Sequence, residues 1–451
     1  MPASVVTWTF VAALLAAYAV RMWLALRQMR HVAAHRDRVP AAFARTVTLE
    51  AHRRAAAYTL AHVRLGIVAT AFAAAVLLGW TLLGGLDVLN AALRDALLPR
   101  WGALGYQLAL LAAFALVGAL LELPLAWYET FRVEQRHGFN RMSVGLWVAD
   151  LLKGLAVVVV VGGPLAALVL WIMGASGGLW WLWAWTAWVG FNLLLLVVYP
   201  TLIAPLFNKF RPLEDEALRA RVSELMRRSG FAARGLFVMD GSRRSAHANA
   251  YFTGLGAAKR VVFFDTLLAR LTPGEVEAVL AHELGHYQRH HVHKRMAAVF
   301  ALSLGALALL GWLAAQPGFY RGLGVEPNLG APNDALALLL FALALPPFGF
   351  FVSPLLALAS RRHEFEADAY ACRQADGREL ASALLKLHED NASTLTPDPL
   401  YARFHYSHPP TWPRRARPRR TRSTTCRRRA SRRWRPTSSA RRCARPAATA
   451  P

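Results

Sequence analysis

The sequence predicts an all-α polytopic membrane protein with about seven transmembrane helices and a small α+β domain standing outside the bilayer. Three observations predict it. The 451 residues are 55% hydrophobic and only 18% charged, with a mean hydropathy of +0.30, which is too apolar for one soluble globular domain. Six uncharged runs are long enough to cross a bilayer, since a helix needs about 20 mostly apolar residues to span a hydrocarbon core roughly 30 Å thick. One long polar insert, Lys209 to Arg295, interrupts those runs.

The runs are Pro2 to Val20, Leu65 to Leu86, Trp101 to Leu121, Gly154 to Asn208, Met296 to Tyr320 and Ala335 to Ser360. The fourth is long enough for two spans, and Gly174-Ala175-Ser176-Gly177-Gly178 supplies the turn between them. The first run is read as a retained span rather than the core of a signal peptide, because it is 19 residues long and Met1-Pro2 offers no basic leader. Lys and Arg concentrate after the first span, from Arg21 to Arg64, and after the third, from Arg132 to Lys153. The intervening loops hold only Arg94, Arg100 and Arg321. Short loops rich in Lys and Arg stay cytoplasmic, so the expected topology has the N-terminus outside and the C-terminus and the polar insert in the cytoplasm.

The expected divisions are a membrane domain at 1–208 with cytoplasmic loops at 21–64 and 128–153, a cytoplasmic insert at 209–295, spans six and seven at 296–360, a segment completing the site at 361–412, and a tail at 413–451. The net charge of +25 would ordinarily point to nucleic acid or an anionic surface. The tail alone holds 15 Arg and no acidic residue, leaving +10 elsewhere, so the excess reads as a solvated, disordered appendage and nucleic acid is not expected as a partner. Cys372, Cys426 and Cys443 have no metal-ligand spacing and indicate no disulfide framework.

The chemistry sits in the insert. Thr272, Pro273 and Glu275 form a helix start: a capping residue, a proline suited to the first turn, and the Glu of a capping box. On the helix they open lies His282-Glu283-x-x-His286. Residues four apart share a helix face, so two imidazoles can point at one zinc ion while Glu283, one step round, reaches a metal-bound water. Zinc lowers the pKa of such a water toward about 7, and the carboxylate can take its proton and return it to a leaving amine. A helical His pair is otherwise a polar face; the cap and the flanking Val279, Leu280 and Leu284 favour the catalytic reading.

A catalytic zinc needs a third protein ligand. The candidates lie just past the last span, in Ser360-Arg361-Arg362-His363-Glu364-Phe365-Glu366-Ala367-Asp368. Glu364 and Asp368 are one helical turn apart, so one can ligate while the other accepts a hydrogen bond from a ligand His. On spacing alone, Glu366 and His363 remain competitors.

The zinc motif together with Glu364-Phe365-Glu366-Ala367-Asp368 resembles the integral-membrane zinc metalloproteases of the CAAX prenyl protease type, the family of the yeast a-factor-processing endopeptidase. The likeness extends through Val133-Glu134, His137-Gly138-Phe139-Asn140, Ala204 to Phe210, Asp240 to Phe252, and Tyr406-Ser407-His408-Pro409-Pro410, covering roughly residues 1 to 412. It implies helices enclosing an intramembrane chamber, a gluzincin-like domain holding one Zn2+ per chain, Glu364 as third ligand, Asp368 as its supporting partner, and His408 as a stabiliser of the tetrahedral intermediate. It also gives a use for His247 to Asp265. Alternating polarity, the break at Gly254-Leu255-Gly256 and the run Val261-Val262-Phe263-Phe264 read as a β-hairpin whose edge could hold a peptide by strand addition, with Asn249, Ala250 and Tyr251 as substrate-binding residues.

His286 precedes Met296 by 10 residues, about 15 Å of helix, and Glu364 follows Ser360 by 4, about 6 Å. The site is therefore expected at the cytoplasmic membrane surface, facing substrates held there. Pro346, Pro347 and Pro354 are expected to break the seventh helix beside a cavity. His290, His291 and His293 read as a basic membrane-facing stretch, Trp180, Trp181, Trp183, Trp185 and Trp188 as anchors and packing, and Glu134 with Asn140 as loop structure. After Pro410 the family continues into a regular helix, whereas this chain turns to Arg and Pro, which reads as a shifted reading frame.

The function expected is a zinc-dependent endopeptidase acting on membrane-associated or lipidated proteins and peptides, prenylated C-termini being the family's named substrate. The Ala, Arg and Leu usage points to a bacterial inner membrane, where quality control of membrane proteins is the alternative role. A catalytically silent scaffold and a tail-driven nucleic-acid binder are the rivals from other classes. Glu283 argues against the scaffold, because a structural zinc needs no general base.

Overall fold

The computed structural model of the protein describes residues 1–231, 235–253 and 259–409. The Arg-rich tail, Pro410 and the Gly254-Leu255-Gly256 break fall outside the described residues. Among the described residues seven helices are long and apolar enough to cross a membrane, as the runs predict. The first three are α1 (Ala3–His35), α2 (Leu49–Trp80) and α3 (Gly85–Tyr128), the last continuing as a π turn over Glu129–Glu134. Gly102, at φ +68°, kinks α3 beside the expected start at Trp101. The fourth span joins α4 (Val144–Val157) to α5 (Gly163–Ala175), and the fifth runs through α6 (Trp180–Val198) to α7 (Ala204–Phe207). A tight turn at Gly177–Leu179 separates these two spans, overlapping the end of the predicted glycine segment.

The insert folds as a four-stranded sheet with helices packed on it. Strand β1 (Phe210–Pro212) precedes α8 (Glu216–Arg228); β2 (Leu236–Met239), β3 (Ala250–Thr253) and β4 (Arg260–Phe264) follow. The order is β1-β2-β4-β3, and β3 pairs antiparallel with β4, so the predicted hairpin forms and β3 lies at the sheet edge. After α9 (Asp265–Leu268) come α10 (Pro273–Gln288), the sixth span α11 (His291–Ala314), α12 (Pro317–Gly322), the seventh span α13 (Asp334–Gln374), α14 (Gly377–Asp390) and α15 (Pro399–His405). Val222, Leu225, Val261, Phe263, Val276, Leu280 and Leu284 form the domain's core, joined by Ala371 from the C-terminal end of α13 and Leu380 from α14.

The expected breaks in the seventh helix do not occur. Helix α13 runs unbroken for 41 residues with Pro346, Pro347 and Pro354 inside it. Each proline leaves the carbonyl four residues earlier without its amide partner. The Ser353 hydroxyl donates to the Phe350 carbonyl at 2.7 Å, serving the one that Pro354 frees. Beside these prolines an open cleft of about 760 Å³ is lined by Ala342, Pro346, Gly349 and Phe350 together with Arg21 and His62. Trp181 packs onto Gly311 and the Trp185 indole donates to the Phe300 carbonyl at 3.0 Å, so α6 grips α11 through its tryptophans.

Candidate active site

The predicted helix start forms as read. The Thr272 hydroxyl accepts from the Glu275 amide at 3.3 Å, and the Glu275 carboxylate accepts from the Thr272 amide at 2.8 Å. Glu275 is 2% exposed and also accepts from Ser382 at 2.6 Å and Lys386 at 2.7 Å, which locks the start of α10 to α14. The motif lies two turns on, where α10 crosses α13. Gly285 makes the crossing possible: a Cβ there would stand 2.8 Å from the Ala367 Cα, inside the contact limit. That approach brings residues on either side of Ala367 against His282 and His286.

His282, His286 and Glu364 place one donor atom each within 4.8 Å of the others, and they are the one such group among the described residues. The two Nε2 atoms are 3.3 Å apart; Glu364 lies 3.4 Å from His282 Nε2 and 3.5 Å from His286 Nε2. A tetrahedral zinc with bonds of about 2.0–2.1 Å spaces its ligand atoms about 3.3–3.4 Å apart, so the donor set fits that ion. Asp368 Oδ1 is 2.9 Å from His282 Nδ1 on the far side of the ring. Glu364 is 4% and His282 8% exposed, so the charge is concentrated where water screens it little.

The electrostatics favour a cation at this point. Burial pushes the His282 imidazole down, but hydrogen bonding to Asp368 and Glu364 outweighs it and carries the group up to about 9. His286 goes the other way, to about 4, through burial and the neighbouring His282. Glu283 is raised, first by burial and then by Glu364, against the opposing His282. A carboxyl lifted in this way is a better proton acceptor than an exposed one.

His408 approaches from a separate element. Its Nε2 is 3.5 Å from Glu364 Oε1, its Nδ1 is 3.0 Å from the Ser407 hydroxyl, and its side chain is 69% exposed. Two anchors hold the segment: Arg361 on α13 donates to the Tyr406 and Arg403 carbonyls, and Asp398 caps α15 while pairing with Arg27 of α1 at 2.9 Å. Asn249 is exposed at the head of β3, where its side chain accepts from the Ala250 amide at 2.8 Å and its carbonyl accepts from the Phe264 amide at 3.0 Å. Ala250 and Tyr251 are half-buried along the edge strand. No hydrogen bond among the described residues joins them to the histidine cluster.

Sequence reasoning missed three residues. Gly285 and Arg361 are given no role there, and His291 is read as part of a basic membrane-facing stretch. His291 is instead 3% exposed, with Nδ1 3.1 Å from His286 Nδ1 and Nε2 3.1 Å from Glu366. Glu366 and His363, the competitors for third ligand, both turn to His291; His363 stacks on its ring at 4.1 Å. Glu134 accepts from Tyr58 at 2.7 Å and His62 at 2.9 Å, and Asn140 bridges to Ser245, in keeping with a structural reading of both.

Comparison with known proteins gives one answer. Residues 28–209 match the family described as CAAX prenyl protease N-terminal, five membrane helices, and residues 212–421 match peptidase family M48. The "CAAX prenyl protease 1 homolog" of Arabidopsis thaliana is 36% identical over 324 residues, 70% of this chain and 76% of the relative. "CAAX prenyl protease 1" of Saccharomyces cerevisiae is 36% identical over 317 residues, covering 67% of this chain and 70% of its own. The crystal structure of S. mikatae Ste24p superposes with a TM-score of 0.84 at 30% identity, over 92% of this chain and 98% of that one. With seven spans, a paired-histidine helix crossing a carboxylate helix, and matches along nearly all the described length, the chain belongs to peptidase family M48 as an integral-membrane metalloendopeptidase of the CAAX prenyl protease type.

Proposed function

We propose that the protein is a zinc endopeptidase that cleaves prenylated, CAAX-type or otherwise membrane-held proteins and peptides, with His282, His286 and Glu364 as the zinc ligands. The observation that carries this reading is the 3.3–3.5 Å spacing of the three donor groups, with Glu283 on the same helix. Zinc bound there would supply Lewis acidity to the scissile carbonyl and to a water. The chain's own residues do the rest. Glu283 takes a proton from the attacking water and delivers it to the leaving amine, a role suited to its raised affinity for protons. Asp368 accepts from the Nδ1–H of His282 and so keeps its Nε2 free to ligate. His408, next to Glu364 and open to solvent, is placed to donate to the oxyanion. Strand β3, through Asn249, Ala250 and Tyr251, presents an edge on which an extended peptide can pair.

The zinc domain faces the cytoplasm in this reading, on the strength of the Lys and Arg asymmetry of the loops. The division into 1–208, 209–295, 296–360 and 361–412 serves that arrangement. A bacterial inner membrane has only residue usage behind it, and the relatives named above are eukaryotic. The test is cleavage of a prenylated CAAX peptide and an unprenylated control by the purified protein, with chelated protein and Glu283→Gln alongside. Zinc-dependent cleavage that prefers the prenylated peptide supports the reading. Zinc-dependent cleavage of misfolded membrane proteins but of neither peptide moves the substrate to quality control.

A further inference from the structure

The two histidines of the motif are supported differently. His282 meets a carboxylate directly, whereas His286 meets a second histidine. Helix α10 ends at Gln288, and His290 then takes a left-handed backbone, φ +54°, which residues other than glycine rarely adopt. That turn starts α11 at His291 and folds its side chain back under the motif. There it is buried, with Nδ1 3.1 Å from His286 Nδ1 and Nε2 3.1 Å from Glu366 Oε2. Its ring lies flat on His363, with centroids 4.1 Å apart and planes 13° from parallel.

The hydrogen-bond directions follow from the chemistry of the partners. The Glu366 carboxylate only accepts, so His291 Nε2 carries a hydrogen. Neutral His291 then has a lone pair on Nδ1, and His286 must donate its own Nδ1–H to it. His286 Nε2 is left bare, on the side where His282 Nε2 and Glu364 converge. We infer that His291 and Glu366 form a positioning relay that fixes the tautomer and ring orientation of His286 as a zinc ligand. The inference rests on the zinc reading proposed above. It divides the work of Glu364-Phe365-Glu366-Ala367-Asp368 among its three carboxylates, of which Glu364 ligates, Asp368 holds His282, and Glu366 holds His286 through His291.

The relay has a signature that mere corner packing lacks. Among the described residues Glu366 touches the centre only through His291, so removing both residues should cost no more than removing His291. The test uses full-length purified protein with zinc affinity read by competition against a chromophoric chelator. The melting temperature of each metal-free variant serves as the folding control. His291→Phe keeps a ring to stack on His363 and removes both nitrogens; Glu366→Gln keeps size and removes the charge. Each should weaken zinc binding by about 10–100-fold with the metal-free melting temperature unchanged. The double variant should match His291→Phe alone. Affinities within about twofold of the parent, or a double variant whose loss is the product of the two single losses, overturn the relay. If His291→Phe does not fold, Glu366→Gln, at a side chain 49% exposed, decides the matter by itself. A parent protein that binds no stoichiometric zinc overturns the zinc reading itself, a failure distinct from that of a parent that binds zinc and variants that bind it equally well.

Discussion

The membrane bundle and the zinc domain solve packing in opposite ways. In six of the seven spans no more than 11% of the most apolar window is buried inside the protein, and Val160 and Leu202 in two of them stand 71% and 65% exposed. In the zinc domain Val222, Leu225, Ala278, Ala281 and Leu284 are all 0% exposed. The difference follows from the solvent: lipid tails are as apolar as leucine, so a spanning helix gains little hydrophobic energy from burial, whereas a domain in water depends on it. The exception locates the function. Helix α13 has 39% of its window buried, and it is the helix that leaves the bundle to deliver Glu364.

This contrast can be tested site by site. The largest effect belongs to chemistry rather than packing: Glu283→Gln should lower kcat by about 10²–10⁴-fold while zinc content by metal analysis stays stoichiometric. Next comes the zinc-domain core, where Leu284→Ala should cost about 2–5 kcal/mol in a denaturant titration. Gly285→Ala should cost about 1–3 kcal/mol, because its methyl meets the backbone of α13, and unlike Leu284→Ala it should also reduce bound zinc by parting the two ligand-bearing helices. The smallest effect is expected in the bundle. Val160→Ala should change stability by no more than about 0.5 kcal/mol, and a loss comparable to Leu284→Ala would show that the bundle is packed like a soluble core after all.

What could be read in the sequence was what depends on neighbours along the chain. Span lengths, the glycine turn between α5 and α6, the capping box and the His282 and His286 face each rest on residues within a few turns of one another. On spacing alone Glu364 was one of four candidates; the resemblance singled it out, and the fold brings it to both histidines. The roles of His291 and Gly285 depend on α13 residues some 75 and 82 positions away, and no local pattern encodes such contacts. The prolines of α13 misled for a related reason. Local rules make each a helix breaker, but α13 continues through all three, and the Ser353 hydroxyl serves the carbonyl that Pro354 frees.

Helix α13 has a practical consequence. Its 41 residues run without interruption from the bilayer to the zinc site, so the boundary drawn at 360 and 361 falls inside a single rod. No cut separates peptidase from anchor: a fragment retaining the paired histidines but trimmed of its membrane helices would lose the support that aims Glu364. Proteolytic shedding would therefore switch this enzyme off, and a water-soluble version would need a new scaffold for one ligand helix rather than a shorter chain.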